Sequence, residues 1–195
     1  MGKIVLATII ISGSAKWLLK VGGNKEKWYG SDRIFMYVMT VFGAMTVNYS
    51  EQCTEYGWVV SNLRLLAGCL LAGGLLSAAY MDRRNCWVYN YVWWWCLPWA
   101  GILGLTAGGG FHGIVAVLVF VMLQQLLFSG MYGKADCHAF SVCALAECGN
   151  AVGMVGFLLQ MFLSVVLLTI VQLFRGNVTP RGRLREPQPF IPYII

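Results

Sequence analysis

Long apolar runs, separated by short stretches of charged residues, glycine and proline, make up most of this 195-residue chain. A run of about 17–25 apolar residues is long enough to cross a bilayer as a helix. The runs predict spans at 4–22, 34–50, 63–81, 86–107, 111–131 and 150–174, with a shorter helix at 139–148. The predicted fold class is an all-α integral membrane protein, a polytopic bundle of about six to seven transmembrane helices.

The first run has two interpretations. Its apolar stretch and the small residues after it are typical of a cleaved signal peptide, but Lys16 and Lys20 follow at once and the apolar pattern resumes around them. A span whose lysines extend to one interface is therefore favoured. We predict a single membrane domain over 1–195, with N-terminal helices at 1–62, a core at 63–174 and a basic tail, with the start of a further helix, at 175–195.

Composition excludes several classes of protein. Hydrophobic residues make up 58% of the chain and charged residues only 11%, with a mean hydropathy of +0.67, whereas soluble domains carry about 25% charged residues. A soluble enzyme, a disordered tail and a nucleic-acid module are excluded, despite a net charge of +6. The seven cysteines never reach CxxC spacing, so we expect no structural zinc, no disulfide framework and no metal or other cofactor.

Basic residues predict the orientation, because they are enriched in cytoplasmic loops. If every helix crosses and the Asp82–Arg84 corner is cytoplasmic, twelve of the 14 basic residues lie on the cytoplasmic side. These are Lys16, Lys20, Lys25, Lys27, Arg33, Arg83, Arg84, Lys134, Arg175, Arg181, Arg183 and Arg185. Lys3 and Arg64 remain outside. If the short helix does not cross, the division falls to eight against six.

Two aspartates are the candidate catalytic residues. Asp82 follows the span 63–81 and Asp136 follows the span 111–131, and two full spans separate them, so both return to one membrane face. Two nearby carboxyl groups can share a proton, so that one acts as general acid while the other activates water for hydrolysis. The alternative is structural, because aspartates at helix ends often cap helices or pair with a neighbouring arginine such as Arg83.

Three segments resemble the type IV prepilin peptidases, a family of GxGD-type aspartic membrane peptidases. Tyr-Met-Asp-Arg-Arg-Asn at 80–85 resembles their first-aspartate motif. Gly-Lys-Ala-Asp at 133–136 is similar to their second motif, Gly-x-Gly-Asp, and Pro-Phe-Ile-Pro-Tyr at 189–193 is similar to the segment that opens their last helix.

The resemblance implies an aspartic endopeptidase that removes the short basic leader from prepilin-like or pseudopilin-like precursors, which are themselves inserted in the membrane. It implies that Asp82 and Asp136 are catalytic, that Gly133 and Ala135 form the backbone around the second aspartate, and that the site faces the cytoplasm from the cell membrane. No nucleic-acid partner is expected, and the oligomeric state is left open. Because no segment with paired CxxC motifs is present, we expect a small form that does not methylate its product.

The chain departs from the family pattern at several points. Ala135 replaces the second glycine, which we expect to restrict the backbone because alanine tolerates positive φ poorly. His138 stands where the family usually has lysine, and is interpreted either as tuning local charge or, preferentially, as a solvated or packed side chain. The chain stops at Ile195, where the family's last helix would begin.

Two other functions remain open from the sequence. One is a different GxGD-type protease that cuts other signal or leader peptides. The other is a non-enzymatic membrane protein in which the two aspartates bind cations or relay protons. We also expect His112 to lie in an outer loop without a metal role, and Gln124 and Gln125, polar residues within a span, to find partners inside the bundle.

Overall fold

The protein is described by a computed structural model at residues 2–22, 30–52, 57–108, 111–128, 133–147 and 151–174. All regular secondary structure in these ranges is helical, which confirms the all-α class for them. The helices are α1 (Gly2–Val21), α2 (Gly30–Gln52), α3 (Trp58–Asn85), α4 (Asn90–Thr106), α5 (Phe111–Leu123), α6 (Lys134–Glu147) and α7 (Ala151–Phe174). A π-helical segment, Gln124–Phe128, continues α5.

Helix α3 is the centre of the N-terminal half of the bundle, where it packs against α1, α2 and α4. Helix α4 also packs against α6, and α6 in turn contacts α5 and α7. The second half of α3 is buried almost continuously up to Asp82. Because α4 touches both α3 and α6, it joins the two groups of helices into one bundle.

Two adjacent glycines allow α3 to approach its neighbours closely. A Cβ atom on Gly73 would meet the Ser14 hydroxyl and would lie 3.0 Å from the Ile11 carbonyl oxygen of α1. A Cβ atom on Gly74 would meet the Cys96 sulfur of α4. Small residues at a helix interface permit such close packing of backbones, so this pair of glycines positions α1 and α4 on two sides of α3.

Helix ends depart from the predicted spans where polar residues extend a helix beyond its apolar part. The predicted span 63–81 is extended, because α3 continues to Asn85 and carries Asp82 in its last turn. The short helix predicted at 139–148 begins earlier, because α6 starts at Lys134 and carries Asp136 in its first turn. Hydropathy marks the end of the apolar surface, whereas the backbone hydrogen bonds of a helix continue through polar residues.

Other boundaries differ in the same way. The predicted span 86–107 begins too early, since residues 86–89 form the turn before α4. Cys86 ends α3 in a left-handed conformation, with φ of 49°, and its N–H donates to the Asp82 carbonyl at 2.9 Å. His112 lies exposed in the first turn of α5 rather than in a loop. The tail at 175–195, with its Pro-Phe-Ile-Pro-Tyr segment, lies outside the described residues.

Contacts between helix termini define one end of the bundle. The Arg83 guanidinium lies 4.7 Å from the centre of the Phe35 ring, which joins the end of α3 to the start of α2. The Tyr91 hydroxyl donates to the Leu18 carbonyl at 2.8 Å, which joins the start of α4 to the end of α1. We call this the basic end, because it carries Lys16, Lys20, Arg33, Arg83, Arg84 and Lys134. These six basic residues therefore share one end of the bundle, while the orientation of that end in a membrane stays a prediction.

Arg64 and Lys3 lie at the opposite end. Arg64 is near the start of α3 and donates to the Leu103 carbonyl at 3.1 Å and to the Thr106 hydroxyl at 2.9 Å, both near the end of α4. Lys3 is in the first turn of α1.

Two helices, α1 and α3, are long and apolar enough to cross a membrane by length and composition, and three shorter apolar stretches lie in α2, α5 and α7. The polytopic arrangement stays a prediction.

We expect Gly73→Ala to destabilise the bundle, because the added methyl group would lie against a backbone carbonyl of α1 that cannot rotate away. Overpacking of this kind costs about 1–3 kcal/mol. The midpoint of thermal unfolding, followed by circular dichroism, measures the effect. Gly13→Ala in α1 is the matched control, since a Cβ there meets nothing within 4 Å and alanine is the better helix former. Equal midpoints for the two variants would contradict the packing argument.

Candidate active site

Asp82 is buried at the basic end, with 6% of its surface exposed. The last turn of α3 carries it, and the two residues that follow extend outward from the same turn. Arg83 lies over the Phe35 ring, and an Arg84 guanidinium nitrogen donates to the Tyr80 hydroxyl at 3.2 Å. The carboxyl group is therefore carried by a helical turn whose next two residues are arginines, each in contact with an aromatic side chain.

Asp136 is half-buried in the first turn of α6 and is oriented by the start of that helix. Its Oδ2 atom accepts a hydrogen bond from the Gly133 N–H at 3.2 Å. Gly133 precedes the helix, and its carbonyl accepts from the Cys137 N–H at 3.2 Å. An acidic side chain in the first turn that accepts from the N–H of the residue before the helix makes half of a capping box.

Gly133 has a steric role in this arrangement. A Cβ atom at this position would lie 3.2 Å from Oδ2 of Asp136, a closer approach than most Cβ atoms make. A glycine there leaves space for the carboxyl group to fold back over the backbone. The geometry thus accounts for the first glycine of the Gly-Lys-Ala-Asp segment without invoking the resemblance.

The structure does not place Ala135 in the positive-φ conformation that alanine tolerates poorly. Ala135 lies inside the first turn of α6, and Cys86 is the one non-glycine residue of the described ranges with a positive φ. A helical conformation suits alanine better than glycine. Ala135 also packs against the hydrophobic core, so the substitution for glycine fits this structure without strain.

The two aspartates lie close enough for their charges to interact. Burial is the main cause that raises the pKa of Asp136, and the charge of Asp82 raises it further. The hydrogen bond from the Gly133 N–H lowers the pKa, and the result of the three effects is a pKa of about 7. Asp136 therefore holds its proton through most of the acidic range and titrates near neutrality. The structure brings together the two residues that the sequence singled out.

His138 lies one helical turn from the start of α6, where it contacts α4 and the π-helical segment. Its ring centre lies 5.9 Å from that of Trp93, and its Nδ1 atom lies 3.5 Å from Nε2 of Gln125 in the π-helical segment. Burial, and then the charge of Lys134, lower the pKa of His138, so the imidazole is neutral at neutral pH. The packed interpretation of this histidine agrees with the structure.

A groove of ≈ 310 Å³ runs past His138 along the start of α4. Trp93, Trp94 and Leu97 supply its apolar wall, and Asn90 lies at its polar end. Sequence reasoning missed this groove, because its residues come from two helices that are far apart in the chain. The run of tryptophans at 93–95 was the only signal, and their spacing does not indicate which of them face α6.

The two glutamines of the π-helical segment have different surroundings. Gln125 finds the predicted partner in His138. Gln124 is 1% exposed; its Nε2 atom lies 3.8 Å from the Met161 sulfur, while its Oε1 atom has no hydrogen-bond partner among the described residues. Within the described part of the chain, no group of three or more His, Cys, Asp or Glu side chains is placed to hold a metal ion.

Comparison with models of protein families, with curated proteins and with solved structures finds no match to this chain. A functional assignment therefore depends on the residues of the site and on their geometry.

We expect Asp82→Asn to lower the pKa of Asp136 from about 7, because it removes a like charge that raises it. Burial remains, so the pKa should stay above the ordinary 3.8. Carbon-13 NMR of carboxyl-labelled aspartate can follow the titration, since the chain contains three aspartates, Asp32, Asp82 and Asp136. The carboxyl signal that is missing from the spectrum of Asp136→Asn is the signal of Asp136.

Glu147→Gln is the control for this titration. It removes one acidic charge from the end of α6 that lies away from Asp136, and should leave the pKa of Asp136 unchanged. An Asp136 titration that is the same in the native protein and in Asp82→Asn would show that the two carboxyl groups do not interact.

Proposed function

We propose that this chain is a membrane-embedded aspartic endopeptidase of the type IV prepilin peptidase kind. In this proposal it removes the short basic leader of prepilin-like precursors at the cytoplasmic face of the cell membrane. The observation that carries the proposal is the interaction of Asp82 with Asp136, which helps to raise the pKa of Asp136 to about 7. The motifs around both residues support the choice of family.

The raised pKa suggests how the two carboxyl groups divide the chemistry. Asp136 holds a proton near neutral pH and is the general acid, whereas Asp82 is the general base. Asp82 takes a proton from water as the water oxygen attacks the scissile carbonyl carbon. Asp136 gives its proton to the leaving nitrogen as the C–N bond breaks. The proton gained by Asp82 then passes to Asp136, either directly or by loss to water and uptake of another proton from water, which restores the pair.

Exposed apolar side chains support a location in the membrane. Large hydrophobic residues of α5 and α7, such as Leu118, Met122 and Phe162, are more than half exposed. Soluble monomers rarely expose contiguous apolar surface of this extent, whereas a bilayer would cover it. The separation of basic residues to one end supports a cytoplasmic position for that end, where Asp82 and Asp136 lie.

The groove beside His138 is suited to the apolar part of a precursor. Trp93, Trp94 and Leu97 offer an apolar wall beside His138, which follows Asp136 by two residues on α6, and the proposed precursor has a hydrophobic segment that is inserted in the membrane. We assign this groove to that segment, with the scissile bond between the two carboxyl groups. A protease that cuts other leader peptides would use the same chemistry and would differ in what the groove accepts.

A second function has an observation in its favour. An aspartate that titrates near neutral pH could relay protons across a membrane. However, both aspartates lie at the same end of the bundle, where α3 ends and α6 begins, while a relay needs groups distributed along the membrane normal. Proton flux into proteoliposomes, compared with precursor cleavage by the same preparation, separates the two functions.

We expect Asp82→Asn and Asp136→Asn each to reduce precursor cleavage by at least about 100-fold, because each removes one half of the acid–base pair. In the native protein, cleavage should fall as the pH rises through about 7, since Asp136 then loses the proton that the leaving nitrogen needs. Cleavage is measured in proteoliposomes by the electrophoretic shift of a pilin-like precursor.

Glu147→Gln, at the opposite end of the bundle, is the matched control and should cleave normally. Substantial cleavage by either aspartate variant would remove the proposal. Normal proton flux in the absence of any cleavage would favour the relay instead.

We expect residues 84 and 134 to face one side of the membrane. Single cysteines at Arg84 and Lys134, in a background without the native cysteines, should react with a membrane-impermeant maleimide only from the cytoplasm. Cysteines at Lys3 and His112 should react only from outside, because they lie in the first turns of α1 and α5. Opposite labelling of 84 and 134 would place the two carboxyl groups on different faces.

A further inference from the structure

A pocket of ≈ 370 Å³ lies between α1 and α2 at the basic end. It is separate from the aspartate pair, since neither Asp82 nor Asp136 lines it. Helix α1 contributes Ser12, Lys16, Leu19 and Lys20, and α2 contributes Arg33, Met36, Tyr37 and Thr40. Each set repeats at three or four residues, so each forms one stripe along its helix.

Three of the side chains around this pocket are cations. Lys16, Lys20 and Arg33 are all exposed, and the structure gives none of them an ion pair with a described residue. The described lining residues include no acid. Like charges gathered around one cavity repel each other, and an anion placed between them reverses this effect. Arg33 adds a planar guanidinium, whose geometry matches the oxygens of a phosphate group.

Apolar side chains also line and surround the pocket. Leu19 and Met36 are buried beneath the cations. The adjoining outer faces of the two helices expose Ile9 and Val41, which acyl chains could cover. Trp17 and Tyr37, 52% and 65% exposed, are amphipathic aromatic residues of the kind that lie at the headgroup level of a bilayer.

We propose that the pocket between α1 and α2 binds the phosphate of an anionic phospholipid, with the headgroup among Lys16, Lys20 and Arg33 and the acyl chains along the apolar faces of the two helices. The lipid as source of the phosphate rests on the proposed membrane location. The anion site does not rest on peptidase activity, because it shares no residue with the aspartate pair. Bound lipid would join the end of α1 to the start of α2.

Native mass spectrometry of the delipidated protein in detergent tests this proposal. We expect the protein to retain phosphatidylglycerol in preference to phosphatidylcholine with the same acyl chains. Lys16→Gln, Lys20→Gln and Arg33→Gln should each weaken phosphatidylglycerol binding a few-fold, and the triple variant about tenfold or more, as expected for exposed ion pairs. Measurement of the single variants keeps the test valid if the triple variant does not fold.

Two control variants isolate the site and the role of charge. Lys3→Gln removes one exposed cation from the other end of α1 and should bind phosphatidylglycerol as the native protein does. A double variant, Lys16→Arg with Lys20→Arg, keeps the charge and should retain binding. Equal retention of the two lipids by the native protein, or unchanged binding by all three glutamine variants, would overturn the phosphate site.

Inorganic phosphate distinguishes the source of the anion. If phosphatidylglycerol occupies the pocket with its acyl chains on α1 and α2, inorganic phosphate at the same concentration as the lipid should not displace it. Displacement by an equal concentration of phosphate would assign the pocket to the free ion and overturn the lipid proposal. Because lipid retention is measured without substrate, an inactive protein that still binds phosphatidylglycerol selectively would refute the peptidase proposal and leave this one supported.

Discussion

Close packing of α3 against α1 on one side and against α4 on another is the constraint on which the rest of the structure depends. Gly73 and Gly74 make it possible, because any side chain there would meet the neighbouring helices. With α4 seated against α3, the start of α4 presents Trp93 to His138 of α6. The first turn of α6 is thereby held near the last turn of α3, and Asp136 lies near Asp82.

The electrostatic state of Asp136 results from opposing effects of that packing. The start of α6 favours an anion, through the Gly133 N–H and through the positive end of the helix dipole. Burial and the charge of Asp82 act in the other direction, and they dominate, since the pKa rises to about 7. A carboxyl group capped only by a helix start in solvent would be ionised at this pH. The second carboxyl group and the burial change a helix cap into a candidate acid.

The basic end combines two kinds of site with different physical requirements. The aspartate pair lies at the end of α3 and the start of α6, with Asp82 buried and Asp136 half-buried, and reduced contact with water strengthens the influence of one charge on the other. The pocket between α1 and α2 is open, so its lysines and Arg33 remain solvated until an anion enters. Arg83 contacts Phe35 of α2 from the turn that carries Asp82, and so connects the two regions through a direct contact.

The sequence by itself determined the helical class, the separation of basic residues to one end, and the choice of Asp82 and Asp136. These follow from local composition, from the length of apolar runs and from the number of turns between two residues. Only the tertiary structure decided that Ala135 and Asp136 lie in the first turn of α6, and that His138 contacts Trp93 and Gln125. The tertiary structure also decided that one stripe of residues on α1 and another on α2 together line a basic pocket. Hydropathy reports the transfer energy of each residue, whereas contacts between helices depend on side-chain shapes from distant parts of the chain, which no single segment encodes.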